Sequence, residues 1–286
     1  MPSRVKKTIR RTTKLVRTEV ARRSGVLPDF LIIGAQKCGT TSLYEYLIRH
    51  PNIYSATTKE VGYFDRYYPR GLGWYRSHFP LYVQKYYATA IRKEPFLTGE
   101  ASTGYILNPY ALKRISEVLP KAKLLLVLRD PVERAYSHYQ HTFGDSKEPL
   151  PFELAIEKES DRLGEAWKKM LEDENYYNFD IALHAYLRTG IYYDQVKVLL
   201  NLFPKERLFV TTTEELGANI QRVLNQVFEF LEVPLFHSRK FERFNTRSYS
   251  KMEPRLRRKL SEYFRPHNIK LYELLGRDFG WSVWGE

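Results

Sequence analysis

Four consecutive apolar residues, Phe30, Leu31, Ile32 and Ile33, run into a segment bounded by two glycines, Gly34 and Gly39. The next residues, Ser42-Leu43-Tyr44-Glu45-Tyr46-Leu47-Ile48, place apolar side chains at helical spacing. A short buried strand, a tight loop and a helix start, in that order, constrain this chain more than any other stretch. The glycines let the backbone approach a ligand closely, and the unpaired N–H groups of the first helical turn point at it. The segment therefore reads as an anion site, with phosphate the anion expected.

The spacing narrows the choice of phosphate compound. A nucleoside-triphosphate loop reads G-x-x-x-x-G-K-[ST], its lysine reaching the terminal phosphates and its hydroxyl holding Mg²⁺. Gly34 and Gly39 have that spacing, but Thr40 stands where the lysine belongs, and Lys37 lies inside the loop. A cation there sits over an anhydride bridge rather than reaching along a triphosphate tail. That suits a shorter donor, one 5′-phosphate carrying one transferable group. An atypical nucleotide or small-molecule kinase is the alternative, and the absence of lysine at position 40 speaks against it. The run Ile-Ile-Gly-Ala-Gln-Lys-Cys-Gly-Thr-Thr-Ser-Leu resembles the 5′-phosphosulfate loop of sulfotransferases that use 3′-phosphoadenosine 5′-phosphosulfate (PAPS). The heparan-sulfate-type branch and its bacterial relatives match best. The resemblance implies that Gln36, Lys37, Cys38, Gly39, Thr40 and Thr41 bind the cofactor.

With 286 residues the chain can bury the core of one α/β domain, or at most two small ones. The division expected is a basic N-terminal arm over residues 1–27 and a single domain over 28–286. Residues 1–25 hold nine Lys or Arg against one acid, Glu19, which leaves about +5 of the net +13 for everything after them. Because most of the charge lies in the arm, a basic nucleic-acid module is not the reading, and no nucleic-acid partner is expected. Val5, Ile9, Val16 and Val20 give the arm the spacing of a weak amphipathic helix. It would touch anionic lipid or an acidic polymer, or stay a solvated tail. No apolar run has signal-peptide or membrane-spanning length, and Cys38 is the single cysteine. These point to a reducing, cytoplasmic setting, peripheral to the inner face of the membrane. Cys38 sits in the loop, where its backbone N–H is expected to matter more than its thiol.

Further along, Pro95–Glu100 reads as a second core strand and Asn108 as the cap of a helix through Leu119. Lys123–Leu128 is almost continuously apolar, the mark of a strand buried on both faces of a parallel sheet. Residues 150–188 read as two helical stretches, 207–210 as a strand, and 252–275 as a helix interrupted near Pro266. Strands separated by helices give a doubly wound, mostly parallel α/β sheet with a P-loop-like phosphosulfate-binding loop. Such sheets bind ligands at the carboxyl ends of their strands, which gathers Lys37, Glu100 and Arg129 to one rim.

Arg129 at a strand tip and Ser137 in the following helix have the chemistry to converge on one phosphate, a planar bidentate cation with a hydroxyl. Leu124–Tyr139 resembles the family's 3′-phosphate motif, which implies that Arg129 and Ser137 hold the nucleotide's 3′-phosphate. Lys59-Glu60-Val61-Gly62-Tyr63-Phe64-Asp65 is similar to the K-E-x-x-[FY]-F-D segment of the heparan-sulfate branch, and that match makes Glu60 the catalytic base. Lys37 would stabilise charge growing on the leaving oxygens. The run Asn245–Glu253 is similar to the family's closing segment, which assigns Arg247 to the nucleotide. Many members of that branch have Glu-Lys-Ser where this chain has Glu100-Ala101-Ser102, so a second lysine is missing at Ala101, and Glu100 and Ser102 are expected to line the cleft. His138 ranks below Glu60 as a base, because a helical neighbour of Ser137 should point elsewhere. No His/Cys/Asp cluster has metal-ligand spacing, so no metal is expected. The acceptor expected is a glycan or glycolipid, with a small molecule second. In titration calorimetry, adenosine 3′,5′-bisphosphate should bind without Mg²⁺ and far better than ATP; equal binding of ATP would restore the kinase reading.

Overall fold

The structure, a computed structural model, describes residues 19–238 and 250–281. Five strands form one sheet: β1 (Phe30–Gly34), β2 (Ile53–Ser55), β3 (Leu97–Ala101), β4 (Lys123–Leu128) and β5 (Leu208–Thr212). Their order is β2-β3-β1-β4-β5, and every neighbouring pair is parallel. The apolar runs explain the order. All five residues of β1 and the last five of β4 are buried, so these strands take the middle of the sheet, covered on both faces.

The helices of eight residues or more are α1 (Thr40–Leu47), α2 (Pro109–Val118), α3 (Pro131–Gly144), α4 (Glu159–Glu172), α5 (Tyr192–Leu202), α6 (Ile220–Leu231) and α7 (Pro254–Leu275). They flank the sheet, α1 packing with α6, and α5 with both α2 and α7. Asn108 caps α2 by accepting from the N–H groups of Tyr110 and Ala111, and Asp130 caps α3 through Val132. The α/β reading and the parallel sheet hold. Two local readings are corrected, and one short strand is new. Strand β2 is a three-residue edge, too short to leave a periodic signal. Residues 150–188 contain three helices, α4 and two short ones at Phe152–Glu157 and Phe179–His184. Helix α7 runs unbroken through Pro266. An interior proline costs ~3 kcal/mol, but Leu256, Leu260, Phe264 and Leu271 are buried along one face. Each such burial is worth roughly 1.5–3 kcal/mol, so packing outweighs the proline.

The starts of the strands are tied together at Asp29. Its N–H donates to Thr98 O (2.7 Å), its carbonyl accepts from Lys123 N (3.0 Å), and its carboxylate accepts from Thr98 N (2.9 Å) and Lys85 Nζ (3.0 Å). Residues 19–24 are helical, and Gly25 then pairs antiparallel with Leu81 on this same rim. Among the described residues no helix is long and apolar enough to cross a membrane.

Phe30 lies opposite Gly99 in the β1–β3 register, and a Cβ on Gly99 would come within 2.4 Å of the Phe30 ring. Gly99→Ala should therefore lower stability by about 1–3 kcal/mol through overpacking. A urea midpoint unchanged from that of the parent chain would show the ring moving aside freely.

Candidate active site

The loop after β1 turns through two left-handed residues, Lys37 (φ 67°) and Gly39 (φ 87°), and Gly39 caps α1. At its start Leu43 N donates to Gly39 O (3.1 Å). The amides of Thr40, Thr41 and Ser42 precede it and face out of the helix end, where the dipole favours an anion. Thr40 is buried, whereas Gln36, Lys37 and Thr41 are half-buried at the rim. Cys38 N donates to Ala35 O within the loop (3.3 Å).

Neighbouring strand ends hold this loop in place. Ala35 N donates to Val127 O (2.8 Å), and Thr213 Oγ1 lies 2.8 Å from Cys38 O and 3.1 Å from Leu128 O. Arg129, at the tip of β4, donates from Nη1 to Lys37 O (3.4 Å) and is paired with Glu133 (3.7 Å). The two phosphate-type motifs, distant in sequence, thus share a hydrogen bond. Tyr192 donates its hydroxyl to Arg129 O (3.0 Å) and lies 3.6 Å from Cys38 Sγ. Cys38 is wholly buried, and burial pushes its thiol up to about 11, which leaves it protonated and unreactive.

Ser137 is buried two turns into α3, on the helix that follows Arg129. Its neighbour His138 points away from solvent, with Nε2 3.0 Å from Ala182 O and Nδ1 3.5 Å from Arg134 Nη1. Burial and the Arg134 charge hold its pKa well below the usual value, so it is a neutral imidazole with both nitrogens engaged. Arg247 lies outside the described residues.

Glu60 stands on the segment before Val61. Thr103 donates to its Oε1 (2.7 Å), and Lys59 Nζ lies 3.7 Å from the same oxygen. Its side chain is 41% exposed, open enough to meet an incoming acceptor. Glu60 and Gln36 line one pocket, with Asp65, Thr103, Tyr177 and Asn178 on its other walls. The far wall is tied to the loop, since Gln36 Nε2 also donates to Ala182 O (3.0 Å). Tyr177 and Asn178 carried no motif and are found only by folding. Asp65 was visible only as the end of the Lys59–Asp65 segment. Its Oδ1 is buried without a hydrogen-bond partner among the described residues, and burial, with Glu60 and Glu100 nearby, pushes the carboxyl up to about 7.

Residues 27–267 match the model of the sulfotransferase domain. The chain belongs to that family. This sulfotransferase is 31% identical to the membrane-associated sulfotransferase kil1 of Dictyostelium discoideum, over 90% of this chain and 67% of that protein. It is 30% identical to human heparan sulfate glucosamine 3-O-sulfotransferase 6, over 89% and 74%, and 27% identical to the human 3B1 enzyme, over 90% and 65%. The chain thus spans about two thirds to three quarters of the length of these three relatives. A solved sulfotransferase from Alicyclobacillus acidocaldarius superposes with a TM-score of 0.70 at 30% identity, covering 90% of this chain and all of that one.

In this sulfotransferase Glu100 does not line the cleft as expected. It is fully buried, as are Ala101 and Ser102. Three hydroxyls donate to it, those of Tyr75 (2.7 Å), Tyr105 (2.9 Å) and Ser102 (2.6 Å). Gly62 N donates to Ser102 Oγ (2.9 Å) and Tyr63 N to Tyr105 OH (2.9 Å), so these two hydroxyls bridge Glu100 to that backbone. Glu100 thereby fixes the backbone of the segment that carries Glu60. Among the described residues no group of three or more His, Cys, Asp or Glu is placed to hold a metal.

Burial pushes Glu100 up to about 7, with the hydroxyl donors pulling the other way. An acid raised in the folded state stabilises the fold fully below its unfolded value and loses that contribution as pH rises through its folded value. Unfolding free energy should therefore fall between about pH 4.5 and 7, by on the order of 3 kcal/mol from this group. In Glu100→Gln the fall should be shallower, leaving the similar contribution of Asp65. Equal slopes in urea titrations of the two proteins would contradict the assignment.

Proposed function

We propose that this sulfotransferase moves a sulfuryl group from PAPS to a hydroxyl or amine of a glycan or glycolipid, by in-line attack with Glu60 as base. The observation that carries the reading is the shared pocket. Glu60 and loop residue Gln36 face the same cavity, and Arg129 is bonded to the carbonyl of Lys37 in that loop. Gln36, Lys37, Cys38, Gly39, Thr40 and Thr41 take the 5′-phosphosulfate, while Arg129, Ser137 and Arg247 take the 3′-phosphate. The residues fit that group: outward amides at a helix start, a flanking lysine, and a guanidinium at the neighbouring strand tip.

In the reaction the acceptor oxygen or nitrogen bonds to sulfur as the bond from sulfur to the 5′-phosphate oxygen breaks. The acceptor's proton passes to the Glu60 carboxylate, which Thr103 holds in one orientation. Adenosine 3′,5′-bisphosphate leaves, and Lys37 offsets the charge gathering on its departing oxygen. A sulfuryl group carries less charge than a phosphoryl group, so lysine and backbone dipoles suffice without a metal. Support for a glycan acceptor comes from the relatives named for heparan sulfate glucosamine. Tyr177 provides an aromatic ring of the kind that sugar binding uses. The lone cysteine and the basic arm support a cytoplasmic protein peripheral to the membrane.

Glu60→Gln should retain affinity for adenosine 3′,5′-bisphosphate while turnover falls by roughly 10²–10⁴. Lys37→Ala should raise the barrier by ~3 kcal/mol, the scale of one lost transition-state donor. Transfer of radiolabelled sulfate from PAPS to extracts of the native cell would show both the activity and the acceptor. Full turnover in Glu60→Gln would move the base elsewhere.

A further inference from the structure

One stripe of α3 is polar where a core-facing stripe is ordinarily apolar. Arg134, His138 and Thr142 stand four residues apart, so they lie above one another on the helix. All three are buried, at 0%, 0% and 1% exposure. Burying such groups is costly unless each finds a hydrogen-bond partner. Their partners fall within one short segment. Arg134 Nη2 donates to Tyr186 O, His138 Nε2 lies 3.0 Å from Ala182 O, and Thr142 Oγ1 lies 2.8 Å from the Tyr186 hydroxyl. Three successive turns of α3 therefore grip residues 182–186.

Ala182 is where this grip reaches the site. Its carbonyl lies in the last turn of the short helix Phe179–His184, where helical partners run out. It accepts from Gln36 Nε2 of the loop (3.0 Å) as well as from His138. Gln36, Tyr177, Asn178, Ile181 and Ala182 line the pocket that also holds Glu60. A carbonyl has no proton to give, so the neutral His138 presents Nε2–H to it and keeps a lone pair on Nδ1. Arg134 Nη1, 3.5 Å from Nδ1, carries only donors and favours that same tautomer. A side chain that merely filled space at position 138 would pack there, but it would leave the carbonyl to Gln36 alone. We propose that His138, held in one tautomer by Arg134, is a positioning residue that splints the acceptor wall, residues 177–182, to the cofactor loop at Gln36. The proposal rests on the reading of that loop as the PAPS site. Acceptor and sulfur must meet in line, and the segments that hold them, at Ala182 and Gln36, are 146 residues apart in the chain.

The test compares His138→Phe, which packs but cannot donate, with His138→Gln, whose amide can serve both Ala182 O and Arg134. Without ligand, amide hydrogen exchange over residues 177–184 should be roughly ten-fold faster in His138→Phe than in the parent chain, and near the parent in His138→Gln. Adenosine 3′,5′-bisphosphate should slow exchange there in the parent and in His138→Gln but not in His138→Phe, while calorimetry finds similar affinity in all three. Sulfate transfer from PAPS to extracts of the native cell should fall by roughly 10–100-fold in His138→Phe and recover in His138→Gln. Heteronuclear NMR of the parent should show the His138 ring protonated at Nε2 alone, a result that depends on no variant folding. Unchanged exchange or undiminished transfer in His138→Phe, no recovery in His138→Gln, or a proton on Nδ1 would each overturn the proposal. A parent chain that fails to bind the bisphosphate would overturn the PAPS reading instead, and exchange without ligand would still decide the splint.

Discussion

The phosphate loop of this protein is shaped by donors that come from outside it. Within Ala35–Gly39 the backbone turns through two left-handed residues into the helix end, and bonds such as Cys38 N to Ala35 O tie it only in part to itself. Arg129, Thr213 and the end of β4 supply what is missing, each reaching a different carbonyl or amide of the loop. The register of β1 against β4 shifts between Ile32 and Gly34, just where the strand gives way to the loop. A side chain at the tip of one strand thus sets the shape of the loop beyond another. Ligand affinity and loop geometry are for that reason not separable properties here.

A second anchor acts from within. Burying a carboxylate is costly unless hydrogen bonds replace the lost water, and Glu100 receives three. Two of the donors also accept from backbone amides, so the buried carboxyl, the hydroxyls and the Gly62–Tyr63 backbone form one connected unit. Glu60 lies just ahead of that unit on a side chain that remains accessible. One acid is sealed in for architecture, and a nearby one stays open to the cavity. Cys38 and His138, both reactive residue types close to the loop, are silenced by burial.

Much of this was legible before any coordinates. The central strands announced themselves through unbroken apolar runs, and the phosphate loop through its glycine spacing and displaced lysine. Asn108 was visible as a cap because its side chain does the capping itself. What escaped was decided by tertiary context. Strand β2 exists because β3 offers it an edge, and three residues carry no period of their own. Pro266 reads as a break in sequence, yet the buried face of α7 overrides it. Glu100 looked like a cleft residue because strand-end polar groups usually are, and only the placement of Tyr75, Tyr105 and Ser102 turns it inward. The pocket wall at Tyr177 and Asn178 reaches Gln36 through a carbonyl of Ala182, a contact with no side-chain signature.

The parallel sheet gives the molecule a polarity that its outline does not. Strand beginnings converge on Asp29, and strand finishes on the loop and Glu60. Five residues of extended chain separate the two by roughly 17 Å. Whatever enters the cavity beside Glu60 therefore approaches from the strand finishes, on the side away from Asp29.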